Sequence, residues 1–179
     1  MNYDILVLGA GPGGYIAALK AAQLGTKVAI VEKHHLGGTC LNYGCIPSKA
    51  LLASAELLHS IHHAKDYGIA VPQGVTFDWP AIQQRKDKVL RQLRGGIGSA
   101  FKNRSVTLLP GLGRFDGSVN QVIIDPSLAD PKPAAGGAAT ASATSPYSVQ
   151  AKNVVLAVGQ CPGAYPRLAR RCKCGLHLR

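Results

Sequence analysis

Between residues 4 and 32 the chain reads DILVLGAGPGGYIAALKAAQLGTKVAIVE, and few folds accommodate that order of residue types. Asp4 to Leu8 is apolar without alternation, the pattern of a strand buried on both faces in a parallel sheet. It runs straight into Gly9-Ala10-Gly11-Pro12-Gly13-Gly14, then a helical stretch to about Leu24 and a second strand, Lys27 to Val31, that ends at Glu32. An isolated G-x-G-x-x-G says little. Here it follows a strand, opens a helix and is answered by an acid at the end of the next strand, which is the order of a dinucleotide-binding βαβ unit. Gly9 would permit the tight turn, Gly11 would let a pyrophosphate approach the backbone, and Gly14 would let helix and strand pack closely. Glu32 would accept hydrogen bonds from adenosine ribose hydroxyls. The competing reading is a glycine-rich turn without a ligand.

The second constraint is residues 36 to 49, LGGTCLNYGCIPSK. On a regular helix, Cα atoms five residues apart stand roughly 8.6 Å from each other, beyond the about 7 Å that a disulfide tolerates. If Cys40 and Cys45 bond, the backbone between them departs from a regular helix, and Asn42 and Gly44 suit such a departure. A helix then starts at Pro47 or Ser48 and continues through KALLASAELL. Both sulfurs would lie near its N-terminus, where the dipole favours a thiolate, so an exchangeable, low-pKa pair is expected. Spacing alone equally admits two unpaired cysteines buried in a loop.

GGTCLNYGCIPSK closely resembles the redox-disulfide signature of the flavoprotein disulfide reductases, which use FAD and a nicotinamide cofactor. Leu41-Asn42 and Ile46-Pro47-Ser48-Lys49 resemble the dihydrolipoamide dehydrogenase branch most; glutathione and mercuric reductases, the alternative, usually carry valine at one or both apolar positions. The resemblance covers residues 2 to 160, the first part of a glutathione-reductase-type FAD domain. That domain is α/β and Rossmann-like, a parallel sheet with flanking helices and an antiparallel hairpin region. It implies FAD as the bound nucleotide, held by Gly9, Gly11, Gly13, Gly14, Glu32, Lys33, Gly38, Thr39, Lys49, Gly113 and Gly159. Thr39 would contact pyrophosphate or ribitol, Lys49 would be the cation near flavin N5, and Gly113 would touch adenine through its backbone. Cys40 and Cys45 would be the catalytic disulfide, passing electrons from a dithiol such as lipoamide to FAD and then, in the complete enzyme, to NAD. Family members are homodimers. The NAD domain, the rest of the FAD domain and the dimerisation domain with its His-Glu base have no counterpart here, so this chain alone is expected not to turn over.

The remaining sequence is less specific. A helix from about Ser48 to Lys65 carries His59, His62 and His63, read as a solvated face rather than a metal site. Asp78-Trp79-Pro80 opens another helix, with a break expected at Gly95-Gly96. Short strands follow at Val106 to Leu109, Gly113 to Phe115 and Val119 to Ile124. Residues 129 to 146 are low complexity and form an expanded hairpin loop before Tyr147 to Gln150. Asn153 to Val158 is a third buried strand, ending in Ala157-Val158-Gly159-Gln160 where the resembled family has Ala-Thr-Gly-Ser.

All nine acidic residues lie at or before Asp130, with thirteen Lys and Arg; seven basic residues and no acidic one follow, within a net charge of +11. Residues 161 to 179 are expected to be a basic tail outside the family pattern, with Cys161, Cys172, Cys174 and His177 off the usual zinc spacing. The tail lacks the interleaved aromatics of nucleic-acid binders and the amphipathic pattern of membrane binders. No secretory or transit leader is visible, which points to reducing cytosol, where a disulfide is more often catalytic than structural. Two other classes stand beside the enzyme reading: an inert nucleotide-binding fragment, and an interaction module acting through the basic tail.

Overall fold

The computed structural model describes residues 1–72, 74–130 and 145–159. Its elements are β1 (Asn2–Leu8), α1 (Pro12–Gln23), β2 (Val28–Glu32), α2 (Gly38–Tyr43), α3 (Cys45–His62), α4 (Trp79–Asn103), β3 (Thr107–Pro110), β4 (Leu112–Phe115), β5 (Gln121–Asp125) and β6 (Tyr147–Leu156). They form one six-stranded sheet in the order β3-β2-β1-β6-β5-β4.

Strands β3, β2, β1 and β6 run parallel, with Leu6 opposite Ala29 on one side and Val154 on the other. The three buried strands expected from sequence are therefore neighbours, and β3, read only as a short strand, joins them as the parallel edge. β5 and β4 continue the sheet antiparallel to β6. The expected separate strands at Tyr147 to Gln150 and Asn153 to Val158 are one strand. Its first half faces β5, its second half faces β1, and Gln150 pairs with both Gln121 and Asn2.

The period-2 alternation of strand side chains divides the core into two layers. Leu6, Leu8, Ala29, Val31 and Leu109 point toward Val122, Ile124 and Val149 of the antiparallel part. Val7, Val28, Ile30 and Leu108 point the other way, toward Ala18 of α1 and Phe101 of α4. The uninterrupted apolar strands of the sequence follow from this, since both faces are covered.

α4 overturns the expected break. Asp78 caps it, its carboxylate accepting from Ala81 N at 3.0 Å, and the helix passes through Gly95, Gly96 and Gly98 to Asn103. These three interior glycines cost about 1 kcal/mol each against alanine. Phe101, fully buried beyond them, contributes roughly 1.5–3 kcal/mol by its burial alone. With Leu90 also buried on the near side, tertiary anchoring at both ends outweighs the local penalty.

Among the described residues no helix is long and apolar enough to cross a membrane. The basic residues after Asp130 are not all tail: Lys152 sits in β6 and pairs with Asp4 of β1 at 2.8 Å. Gln160 and the cysteines and histidine beyond it lie outside the described residues, as do residues 131–144 of the low-complexity stretch.

Candidate functional site: a glycine turn and a cysteine pair at one sheet edge

β1 lies between β2, which it reaches through α1, and β6, which comes much later in the chain. This reversal of direction is a topological switch point, and ligands in open α/β sheets bind beyond the carboxyl ends of strands at such points. The glycine turn follows β1 there. Gly9 adopts φ +97°, donates its N–H to Val31 O at 2.8 Å, and a Cβ on it would lie 2.5 Å from Ala157 O. A Cβ on Gly14 would run into the Gly9 carbonyl, so these two positions exclude side chains by contact with backbone. Gly13 is exposed with open space around it, and a Cβ on Gly11 would meet nothing closer than 3.9 Å. No side chain caps α1 and no acidic residue enters its first turn. Its free N–H groups and positive dipole end form the ordinary setting for an anion.

Glu32 ends β2 beside this turn. Its Oε2 accepts from Ala10 N at 2.7 Å and its Oε1 from His34 N at 2.8 Å. The carboxylate is thereby oriented, and each oxygen retains a lone pair for a ribose hydroxyl. The next residue, Lys33, accepts Asp130 N on its carbonyl at 2.8 Å, while Gly111 N donates to Glu32 O at 3.0 Å. Gly113 abuts Leu8 and Val31 at the ends of β1 and β2; a Cβ there would stand 2.9 Å from Leu8 Cδ2. Gly159, at φ +62°, follows β6 just past Ala157, the residue whose carbonyl crowds Gly9.

The cysteines belong to the long crossover between β2 and β3, whose first residues must leave from the same sheet edge as the turn. Gly37 N donates to Ala10 O at 2.8 Å, and a Cβ on Gly38 would lie 2.7 Å from Gly11 Cα. The glycine turn and the cysteine segment thus touch backbone to backbone. The helix break expected between the cysteines is present, but Gly44 alone makes it, at φ −126° and ψ −106°. Asn42 stays helical and buried, contrary to expectation, because its carboxamide donates to Leu36 O at 3.1 Å and Gly38 O at 2.8 Å. α3 begins at Cys45 itself rather than at Pro47 or Ser48, since Ser48 N already bonds Gly44 O at 3.1 Å.

Cys40 and Cys45 are free thiols, half-buried and exposed respectively. The expected low-pKa character does not hold for Cys40. Side-chain hydrogen bonding with Cys45 raises its pKa first, with desolvation and repulsion from Cys45 adding to the rise; a backbone hydrogen bond from Cys45 and then the Lys49 charge oppose it. The two sulfurs do not share one helix start: Cys40 lies in α2 and only Cys45 opens α3. Thr39 and Lys49 are exposed, at the second residue of α2 and the fifth of α3. A largely apolar cleft of about 200 Å³ adjoins Cys40, bounded by Pro12, Tyr15, Ile46, Leu93 and Ile97. The larger hollow, about 380 Å³, lies around Asn120, Gln150 and Lys152, away from both cysteines. His59 and His63 stack at 4.2 Å between ring centroids, and among the described residues no three His, Cys, Asp or Glu side chains cluster as metal ligands would.

A Rossmann-like βαβ unit with a bare helix N-terminus, an acid at the second strand and a cysteine pair folded back on its turn defines the class: a thiol-bearing α/β protein of the Rossmann-like kind. The chain belongs to the pyridine nucleotide-disulphide oxidoreductase family, whose model matches residues 3–171. Its relatives include dihydrolipoyl dehydrogenases of Chlamydia muridarum (41% identical over 92% of this chain and 31% of the relative), Bacillus subtilis (39%, over 93% and 33%) and Trypanosoma brucei brucei (41%, over 93% and 32%). The chain spans about a third of the length of these curated relatives.

Proposed function

We propose that this chain is the FAD-binding and dithiol-oxidising segment of a dihydrolipoyl dehydrogenase-type flavoprotein. One observation carries the reading: Gly38 rests against Gly11, so the segment bearing Cys40 is docked on the turn that would hold a dinucleotide pyrophosphate. The donor set fits FAD. The α1 N–H groups beyond Gly11, with Gly13 and Gly14 leaving them uncovered, would take the pyrophosphate. Glu32 would take ribose hydroxyls, with Lys33, Gly113 and Gly159 along the same edge, and Thr39 would hold the inner phosphate or ribitol. Lys49 would face the flavin.

The protein's chemistry is thiol–disulfide exchange. Starting from a Cys40–Cys45 disulfide, one thiolate of a substrate dithiol such as lipoamide attacks Cys40 Sγ, the S–S bond breaks, and Cys45 leaves with the electron pair. The second substrate thiol then attacks the mixed disulfide, closing the substrate disulfide and returning Cys40 as a thiol. Two electrons and two protons have moved from substrate to protein. FAD, when bound, supplies the acceptor for that pair, with NAD as the final acceptor in a complete homodimeric enzyme of the cytoplasm.

The test is a fluorescence titration of the chain with FAD, beside equilibration of its cysteines in thiol buffers. Saturable FAD binding weakened by Glu32→Ala, together with a reversible Cys40–Cys45 disulfide, is expected. A chain that binds no FAD and never links these cysteines overturns the reading.

A further inference from the structure

Among the described residues Asn42 is the only buried polar side chain in the core, with 9% of its surface exposed. It is also out of place by propensity, since asparagine is a poor helix former whose side chain competes with the backbone. Yet it sits in α2, two residues beyond Cys40. Its carboxamide nitrogen places both hydrogens, one on Leu36 O before the helix and one on Gly38 O in its first turn. Its Oδ1 is buried without a partner, so those two donated bonds are all that offset its desolvation.

Between the two carbonyls lie Gly37 at φ +93° and Gly38 at φ +57°. Glycines are the softest backbone available, and consecutive ones form a hinge unless something fixes them. Gly37 bonds the glycine turn through Ala10 O, and Gly38 packs on Gly11. Cys40 rides on the same turn of helix as the strapped carbonyl. A rotation of this pair therefore moves Cys40 relative to Cys45, which is fixed separately as the first residue of α3.

Resting on the reading of Cys40 and Cys45 as a redox couple, we propose that Asn42 is a positioning residue for that couple: its carboxamide locks the Gly37–Gly38 pair and so sets where Cys40 stands against Cys45 and against the dinucleotide turn. A looser strap disfavours the disulfide, whose geometry tolerates little error in Cα and Cβ separation.

The experiment equilibrates the 179-residue chain with reduced and oxidised glutathione, quenches, alkylates, and reads the tryptic peptide of residues 34–49 by mass. The reaction balances as protein dithiol plus glutathione disulfide giving protein disulfide plus two glutathione thiols. Asn42→Ala should shift the equilibrium toward the dithiol by about tenfold, the size that two neutral hydrogen bonds impose. Asn42→Ser should fall between it and wild type, because a helical serine hydroxyl donates to the carbonyl four residues back, here Gly38 O. Val149→Ala, in the opposite core layer, serves as the control: it lowers the melting temperature without moving the equilibrium. An Asn42→Ala shift no larger than that of Val149→Ala, or an Asn42→Ser variant no better than alanine, overturns the inference. Wild-type cysteines that never form the disulfide while FAD still binds bring down the redox reading itself, and this inference with it.

Discussion

The chain contains two glycine-dense stretches of similar appearance, Gly9 to Gly14 and Gly95 to Gly98, and they do opposite things. The first leaves a strand, turns through a left-handed residue and exposes a helix end. The second lies inside α4 and leaves the helix uninterrupted. Gly9 and Gly14 each exclude a Cβ by contact with backbone, whereas a Cβ on Gly95 or Gly96 meets nothing within 4 Å. Glycine content is thus no guide to glycine need; what precedes the stretch is.

The sharpest break of this comparison is Gly14→Ala. Its added methyl would run into the Gly9 carbonyl with Ala157 Cβ 3.2 Å away, so a loss above about 3 kcal/mol, or failure to fold, is expected in a urea melt. Next is Glu32→Ala, which strips the acceptors from Ala10 N and the exposed His34 N and should cost about 1–3 kcal/mol, chiefly by leaving the part-buried Ala10 N unsatisfied beside the turn. At the second stretch the sign reverses. Gly95→Ala and Gly96→Ala should each stabilise the chain by up to about 1 kcal/mol, seen as a higher melting temperature; a loss at either position would show that α4 needs its glycines after all.

The smallest effect is read in rate rather than stability. A thiol with a raised pKa holds its proton longer, so Cys40 should alkylate slowly at neutral pH. Its rate should climb only as pH passes above the ordinary thiol value of 9.0. The folded state prefers the protonated thiol, so any linked stabilisation is present below the unfolded pKa and lost as pH rises through the folded one. Mass-resolved iodoacetamide kinetics across pH checks this, and a half-maximal rate at Cys40 below 9.0 would contradict it.

What was legible in the sequence was local and backbone-borne. The strand, turn, helix and acid of residues 4–32 are contiguous, and Gly9 and Gly14 there answer a steric demand set by their neighbours. The break between the cysteines was also readable, since five-residue spacing cannot close on a regular helix. What escaped needed partners far along the chain. The continuity of α4 depends on Phe101 and Leu90 finding a core, which outweighs a propensity signal at Gly95-Gly96. Asn42 reads as a turn residue by propensity, and only the positions of Leu36 O and Gly38 O reveal why it stays helical. The raised pKa of Cys40 follows from two sulfurs meeting across Gly44, a contact that a dipole argument on one helix does not contain.

β6 pairs with β1 on one side and β5 on the other, and this sets an order on biosynthesis. Asn2 in the first strand of this sheet finds its partner at Gln150, so one side of that strand stays open while nearly the whole sheet emerges behind it. The same wait applies to β5, whose hydrogen-bonding groups face an empty place until residues 147–150 arrive. Unpaired strand edges are templates for other chains, and contacts of such long sequence separation form slowly. A ribosome paused before Tyr147 therefore carries a nascent chain with two sticky edges and no means of closing either. The step that removes both is the addition of a single ten-residue strand.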